Sequence, residues 1–103
     1  MRRASVFVNG TPAGVLEELE RGKQYTFRYH DGYLGDPVSL TMPVEQGAFV
    51  FEEFPPFFDG VLPEGALLEA LIKQAKVDRN DHFGQLVVVG KDLVGDVTAE
   101  ELP

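Results

Sequence analysis

Hydrophobic and polar residues alternate through the first half of the chain and shift to helical spacing in the second. Ala4-Ser5-Val6-Phe7-Val8 alternates, is β-rich and runs into Asn9-Gly10. Asn-Gly between apolar runs is a strong hairpin signal, because both central residues of a type I′ turn need positive φ. Gly14 to Leu19 reads as the returning strand, and Arg21-Gly22 as a second turn. Gln24 to Tyr29 is the clearest strand: Tyr25, Phe27 and Tyr29 share one face, Gln24, Thr26 and Arg28 the other. The Gly, Asp and Pro content of His30 to Pro37 predicts a loop. Val38-Ser39-Leu40-Thr41-Met42 alternates again and stops at Pro43, after which Val44 to Ala48 reads as a loop and Phe49-Val50-Phe51 as a short extended piece.

A rigid corner follows. From Phe54 to Gly65, twelve residues contain three phenylalanines, three prolines and two glycines. Proline fixes φ and removes donors, so this stretch is neither a plain helix nor a central strand throughout. Pro63-Glu64 then opens a helix to about Ala75, with Leu67, Leu68, Leu71, Ile72 and Ala75 on one stripe. That stripe is expected to be buried in the core, which leaves the corner before it free to face outward. Gln85 to Gly90 is ambiguous, since three successive valines favour a strand by propensity. Leu93 to Thr98 reads as a last strand. Hairpin-linked strands followed by clustered helices indicate an α+β fold, a small antiparallel sheet of about five strands with two to three helices on one side.

The 103 residues suit one domain. Cysteine is absent, which excludes disulfides and fits a reducing, cytoplasmic setting. No apolar run is long enough for a membrane span, and no signal segment follows Met1. A net charge of −8 repels a phosphate backbone and suits either solubility or a basic protein partner, so direct nucleic-acid binding is not expected.

Catalytic signals are weak. His30 and His82 lack metal-ligand spacing, so no metal or other cofactor is expected. There is no glycine-rich phosphate loop and no kinase catalytic signature; His82-Phe83-Gly84 lacks the metal-binding aspartate. Asp59 and Glu64, flanking the corner, are the one carboxylate pair of interest. Asp59 suits a turn-stabilising role and a polar contact to a partner equally well.

Phe57-Phe58-Asp59-Gly60-Val61-Leu62-Pro63-Glu64-Gly65 resembles the signature of the N-terminal subdomain of HipA-type serine/threonine kinase toxins. Val8-Asn9-Gly10, Ala13 to Leu16, Tyr25 to Tyr29, Pro37 to Pro43 and Gly90 to Thr98 extend the resemblance over nearly the whole chain. It implies a short helix at Phe54 to Gly60 and a helix over Gln85 to Gly90, with Asn80 or Asp81 as its cap and Gly90 at its end. Because the chain stops at Pro103, where the subdomain ends, it is expected to be free-standing, similar to the HipS-type antitoxins of tripartite toxin–antitoxin systems. The resemblance implies a non-catalytic protein that binds and silences a HipA-like serine/threonine kinase toxin. DNA would be contacted only indirectly, through a helix-turn-helix partner. The implied kinase-binding surface is Phe57, Phe58, Asp59, Leu62, Pro63, Glu64, Gly65 and Ala66. The chain has no tryptophan, and Ala66 is small where a blocking side chain would be bulky. The alternative is the N-terminal regulatory subdomain of an intact HipA-type kinase.

Overall fold

A computed structural model describes residues 1–93 and 95–103. Strand β1 (Arg2–Val8) and strand β2 (Thr11–Glu20) form the expected hairpin, and Asn9 and Gly10 have φ of 51° and 80°. Both values are positive, as the type I′ turn requires. Pro12 is accommodated by a register shift opposite Phe7, where the β1–β2 ladder is irregular. Strand β3 (Gln24–Tyr29) pairs antiparallel with β2, and strand β4 (Ala48–Phe51) with β3. Strand β5 (Val97–Leu102) returns to pair antiparallel with β1, giving the order β4-β3-β2-β1-β5.

Alternation fixes which face is inward. Ala4, Val6, Val8, Ala13, Leu16, Tyr25, Phe27 and Tyr29 are buried on one face of the sheet. Helix α1 (Pro56–Val61) and helix α3 (His82–Val89) add Phe58, Phe83 and Leu86 to the core, all with no exposed surface, and Tyr33, Val38 and Met42 join it from the loop after β3. The rings of β3 each meet an aromatic partner. Tyr25 stands edge-on to Phe54 at 5.4 Å, Phe27 lies 6.2 Å from Phe58, and Tyr29 stacks on Tyr33 at 5.8 Å. Gly90 ends α3 against β5 so closely that a Cβ there would lie 2.0 Å from the Ala99 carbonyl oxygen.

Three expectations need correction. Val38–Met42 is not a strand; it is a tight loop with a single bridge between Ser39 and Met42. Leu40 at its tip is exposed, and Val38 and Met42 at its ends are buried for another reason. The Tyr29 hydroxyl donates to the Met42 carbonyl at 2.5 Å and accepts from the Val38 amide at 2.9 Å, pinning both ends of the loop to β3. The last strand begins at Val97, not Leu93; the expected segment also includes Val94, which lies outside the described residues.

The third correction concerns helix α2 (Gly65–Ala75), which has no buried residue at all. Leu67 is 73 % exposed, and Leu68, Leu71 and Ile72 are half-buried, outside the core cluster. The stripe is amphipathic as expected, but the core is already filled from α1 and α3.

The Tyr29 hydroxyl yields a clean test. Tyr29→Phe keeps the ring and leaves the Met42 carbonyl and Val38 amide without that partner, at a cost of about 1–3 kcal/mol. A lower urea midpoint and faster amide exchange across residues 33–42 are expected. An unchanged midpoint would show that the hydroxyl does not hold the loop.

Candidate functional site

The Phe-Pro corner connects the edge strand β4 to α2, and its construction begins at Pro55 and Pro56. Pro55 is the N-cap of α1 and Pro56 occupies the first turn, where the missing amide costs nothing. Asp59 donates its amide to the Pro55 carbonyl at 3.0 Å, and Leu62 donates to the Asp59 carbonyl at 3.2 Å. The Phe58 ring is fully buried and Leu62 is 8 % exposed, so both anchor the corner from beneath. Phe57 is half-buried and stands edge-on to Phe58 at 5.3 Å. Pro63 is half-buried, and Asp59, Glu64, Gly65 and Ala66 are exposed. Gly65 has φ of 57°, which lets the chain turn into α2 without the steric cost a side chain would meet there.

The eight expected surface residues are therefore contiguous and divide into two layers. Phe58 and Leu62 fix the shape. Phe57, Asp59, Pro63, Glu64, Gly65 and Ala66 present it. The side chains of Asp59 and Glu64 make no salt bridge among the described residues. Asp59 stabilises the turn through its backbone carbonyl, and its carboxylate is left to solvent.

A second feature escaped the sequence reading. Arg2 at the start of β1 donates Nε to Glu18 Oε1 at 2.8 Å and both terminal nitrogens to Asp81, at 2.7 and 3.0 Å. Its guanidinium also lies 5.1 Å from the centre of the Phe83 ring. Glu18 is 3 % exposed, and its other oxygen accepts from the Gly22 amide and the Tyr25 hydroxyl. Asp81 caps α3 by accepting from the Gly84 amide at 3.0 Å. Burial pushes the Glu18 carboxyl up, but the bonds from Arg2 and Gly22 outweigh it and hold the group below the usual carboxylate range. The Arg2 hydrogen bond chiefly lowers Asp81, against the opposing effect of burial. Tyr25 is pushed up to about 12 by burial and then by the Glu18 carboxylate.

Glu18, Tyr25 and Asp81 of this cluster line a shallow cleft with Arg21, Asp78, Asn80 and His82. Its polar atoms are already matched to one another, and no buried side-chain polar atom among the described residues lacks a hydrogen bond. The charged groups of Arg2, Glu18 and Asp81 are thus engaged with one another in holding strand and helix together. Among the described residues no group of three or more His, Asp or Glu side chains is placed to hold a metal ion. No helix among them is long and apolar enough to cross a membrane.

The pH dependence of stability follows from these shifts. Glu18 and Asp81 are depressed in the folded state, so their contribution is complete above the unfolded carboxylate range and is lost as pH falls below about 4. Arg2→Met leaves Glu18 buried without its counter-charge and is expected to cost about 3 kcal/mol at pH 7. The sign for Glu18 then reverses, because burial alone raises its folded pKa. The variant should regain part of its stability as pH drops from 7 to 5, where the wild type stays level. Thermal unfolding at both pH values checks this; parallel curves would refute the structural role of Arg2.

Comparison with known proteins places these elements. The model of the HipA N-terminal domain family matches residues 4–100. A protein of uncharacterized function from Haemophilus influenzae is 34% identical over 101 residues, covering 98% of this chain and 93% of that one. The putative kinase Y4dM of Sinorhizobium fredii is 33% identical over 99 residues, covering 86% of this chain; the match spans about a quarter of the kinase, 24% of its length. Among solved structures, the N-terminal domain of HipA toxin superimposes with a TM-score of 0.80 at 31% identity, covering 100% of this chain and 94% of that one.

Proposed function

The chain belongs to the HipA N-terminal domain family, and from that premise we propose that it is an antitoxin that binds and silences a HipA-like serine/threonine kinase by protein–protein contact, without catalysis of its own. One observation carries this reading. The same domain makes up nearly all of the Haemophilus influenzae relative and about a quarter of the putative kinase Y4dM. A domain that occurs both alone and joined to a putative kinase is suited to engage that kinase in trans.

The corner gives the proposal its chemistry. Six residues from Phe57 to Ala66 are presented on a base fixed by Phe58, Leu62 and two prolines. A turn held this firmly loses little entropy on docking. Its exposed groups are the Asp59 and Glu64 carboxylates on a chain of net charge −8. A kinase binds nucleotide phosphates with basic side chains and metal ions, so an acidic turn complements the rim of such a cleft. DNA contact falls to a separate helix-turn-helix protein, since an acidic chain is repelled by the phosphate backbone. Y4dM also favours a second reading, in which the domain regulates a kinase to which it is covalently joined. The same surface would serve there in cis.

Asp59→Lys/Glu64→Lys tests the proposal without disturbing the core, because both side chains are exposed. With a HipA-like serine/threonine kinase that lacks this domain as the probe, the double variant should bind about ten- to hundredfold more weakly than the wild type at an unchanged melting temperature. Calorimetry gives the affinity, and kinase autophosphorylation with and without each protein gives the inhibition. If the wild type leaves autophosphorylation untouched, the antitoxin reading is wrong. If the double variant inhibits equally well, the corner is not the surface used.

A further inference from the structure

We infer that the apolar stripe of α2, formed by Leu68, Leu71 and Ile72 with Leu67 at its edge, is a helix-in-groove docking face for the kinase. This inference rests on the antitoxin reading and names a surface which that reading does not include.

An eleven-residue helix gains little stability from propensity alone and ordinarily relies on burying one face. No residue of α2 is buried, and none belongs to the core or packs directly against it. Gly65 and Lys76 take positive φ at its two boundaries, where the chain turns into and out of the helix, and on its exposed surface Arg79 bonds both carboxylate oxygens of Glu69. Leu67 is exposed, and Leu68, Leu71 and Ile72 each keep part of their surface in contact with water. Spacing of i, i+3 and i+4 at Leu68, Leu71 and Ile72 is the pattern by which a helix inserts into a partner's groove.

Charge and continuity identify the occupant. Glu64 sits one turn ahead of Leu68 on the same line of the helix, and its carbonyl accepts the Leu68 amide at 3.4 Å. The stripe thus begins where the acidic corner ends. A partner that meets both must offer an apolar groove with basic groups at the end that receives Glu64 and Asp59. A second copy of this chain fits poorly, because each copy carries a net charge of −8. The kinase of the antitoxin reading suits this surface, since it must already meet the acidic corner next to the stripe.

The experiment uses the whole protein, with a HipA-like serine/threonine kinase that lacks this domain as probe. Leu67→Glu alters a side chain that is 73 % exposed and should not affect folding. Leu71→Glu strikes the centre of the stripe, and circular dichroism verifies that it folds. Binding is measured by calorimetry, and amide exchange is followed in α2 with and without kinase. The expected result is an affinity loss of about ten- to hundredfold for Leu71→Glu, a smaller loss for Leu67→Glu, and slowed exchange across residues 66–75 in the complex. If the kinase binds wild type and both variants equally and leaves α2 exchange unchanged, the inference fails and the antitoxin reading stands on the corner alone. If the kinase does not bind the wild type, both fall together. If the wild type alone sediments as a dimer that Leu71→Glu dissociates, the stripe is a self-association face and the inference is overturned.

Discussion

The guanidinium of Arg2 joins the two halves of this domain. It bonds to Glu18 at the far end of β2 and to Asp81 at the head of α3, and it lies over the Phe83 ring. Strand and helix are thereby fixed at one corner by a charge that neither carboxylate can do without. Glu18 has 3 % of its surface exposed, and a carboxylate so placed is tolerated only with its bonds complete. Four donors complete them: Arg2, Gly22, Tyr25 and, for Asp81, the Gly84 amide. The cap that starts α3 and the ion pair that docks it are thus the same side chain.

Once α3 is placed, the rest of the packing has little freedom. Its buried face covers the sheet, and Gly90 brings its end onto β5. The aromatic face of β3 takes the remaining space, pairing with Phe54, Phe58 and the Tyr33 loop. The core is then closed by α1, α3 and the loop that carries Tyr33, Val38 and Met42, with no residue of α2. This explains why α2 is peripheral although it is the longest helix: its residues arrive at a sheet whose inner face is already covered.

The legible parts of the sequence were those set by local rules. Asn9-Gly10 specified a turn through backbone conformation, and Tyr25, Phe27 and Tyr29 specified a face through alternation. The α3 region was legible only through family resemblance, because Val87, Val88 and Val89 favour a strand by propensity and the Asp81 cap and Arg2 pair override it. Other features depend on contacts far apart in sequence. The Val38–Met42 alternation looked like a strand, yet its burial comes from one hydroxyl on Tyr29. The last strand was displaced because Glu100 and Glu101 mask an extended segment that the β1 ladder holds in place. The Arg2–Glu18–Asp81 cluster spans 79 residues, and no spacing rule joins its members. For the corner, sequence located the residues but not their layers, since Phe58 and Leu62 differ from Phe57 only in which way the turn of α1 points them.

The α2 stripe shows most plainly what a periodic pattern means. Amphipathicity states that a helix has one face suited to an apolar neighbour; it does not state that the neighbour belongs to the same chain. In most small domains the core is the nearest candidate, and the inference from stripe to core holds. Here the core cluster contains no residue of α2, and the Glu69–Arg79 pair lies on the helix's exposed surface. Under the antitoxin proposal, stability and recognition fall to different elements. The sheet, α1 and α3 carry the fold, while the corner and α2 can meet a partner without unfolding anything. Changes to α2 should therefore alter binding with little effect on folding, whereas changes at Arg2 should do the reverse.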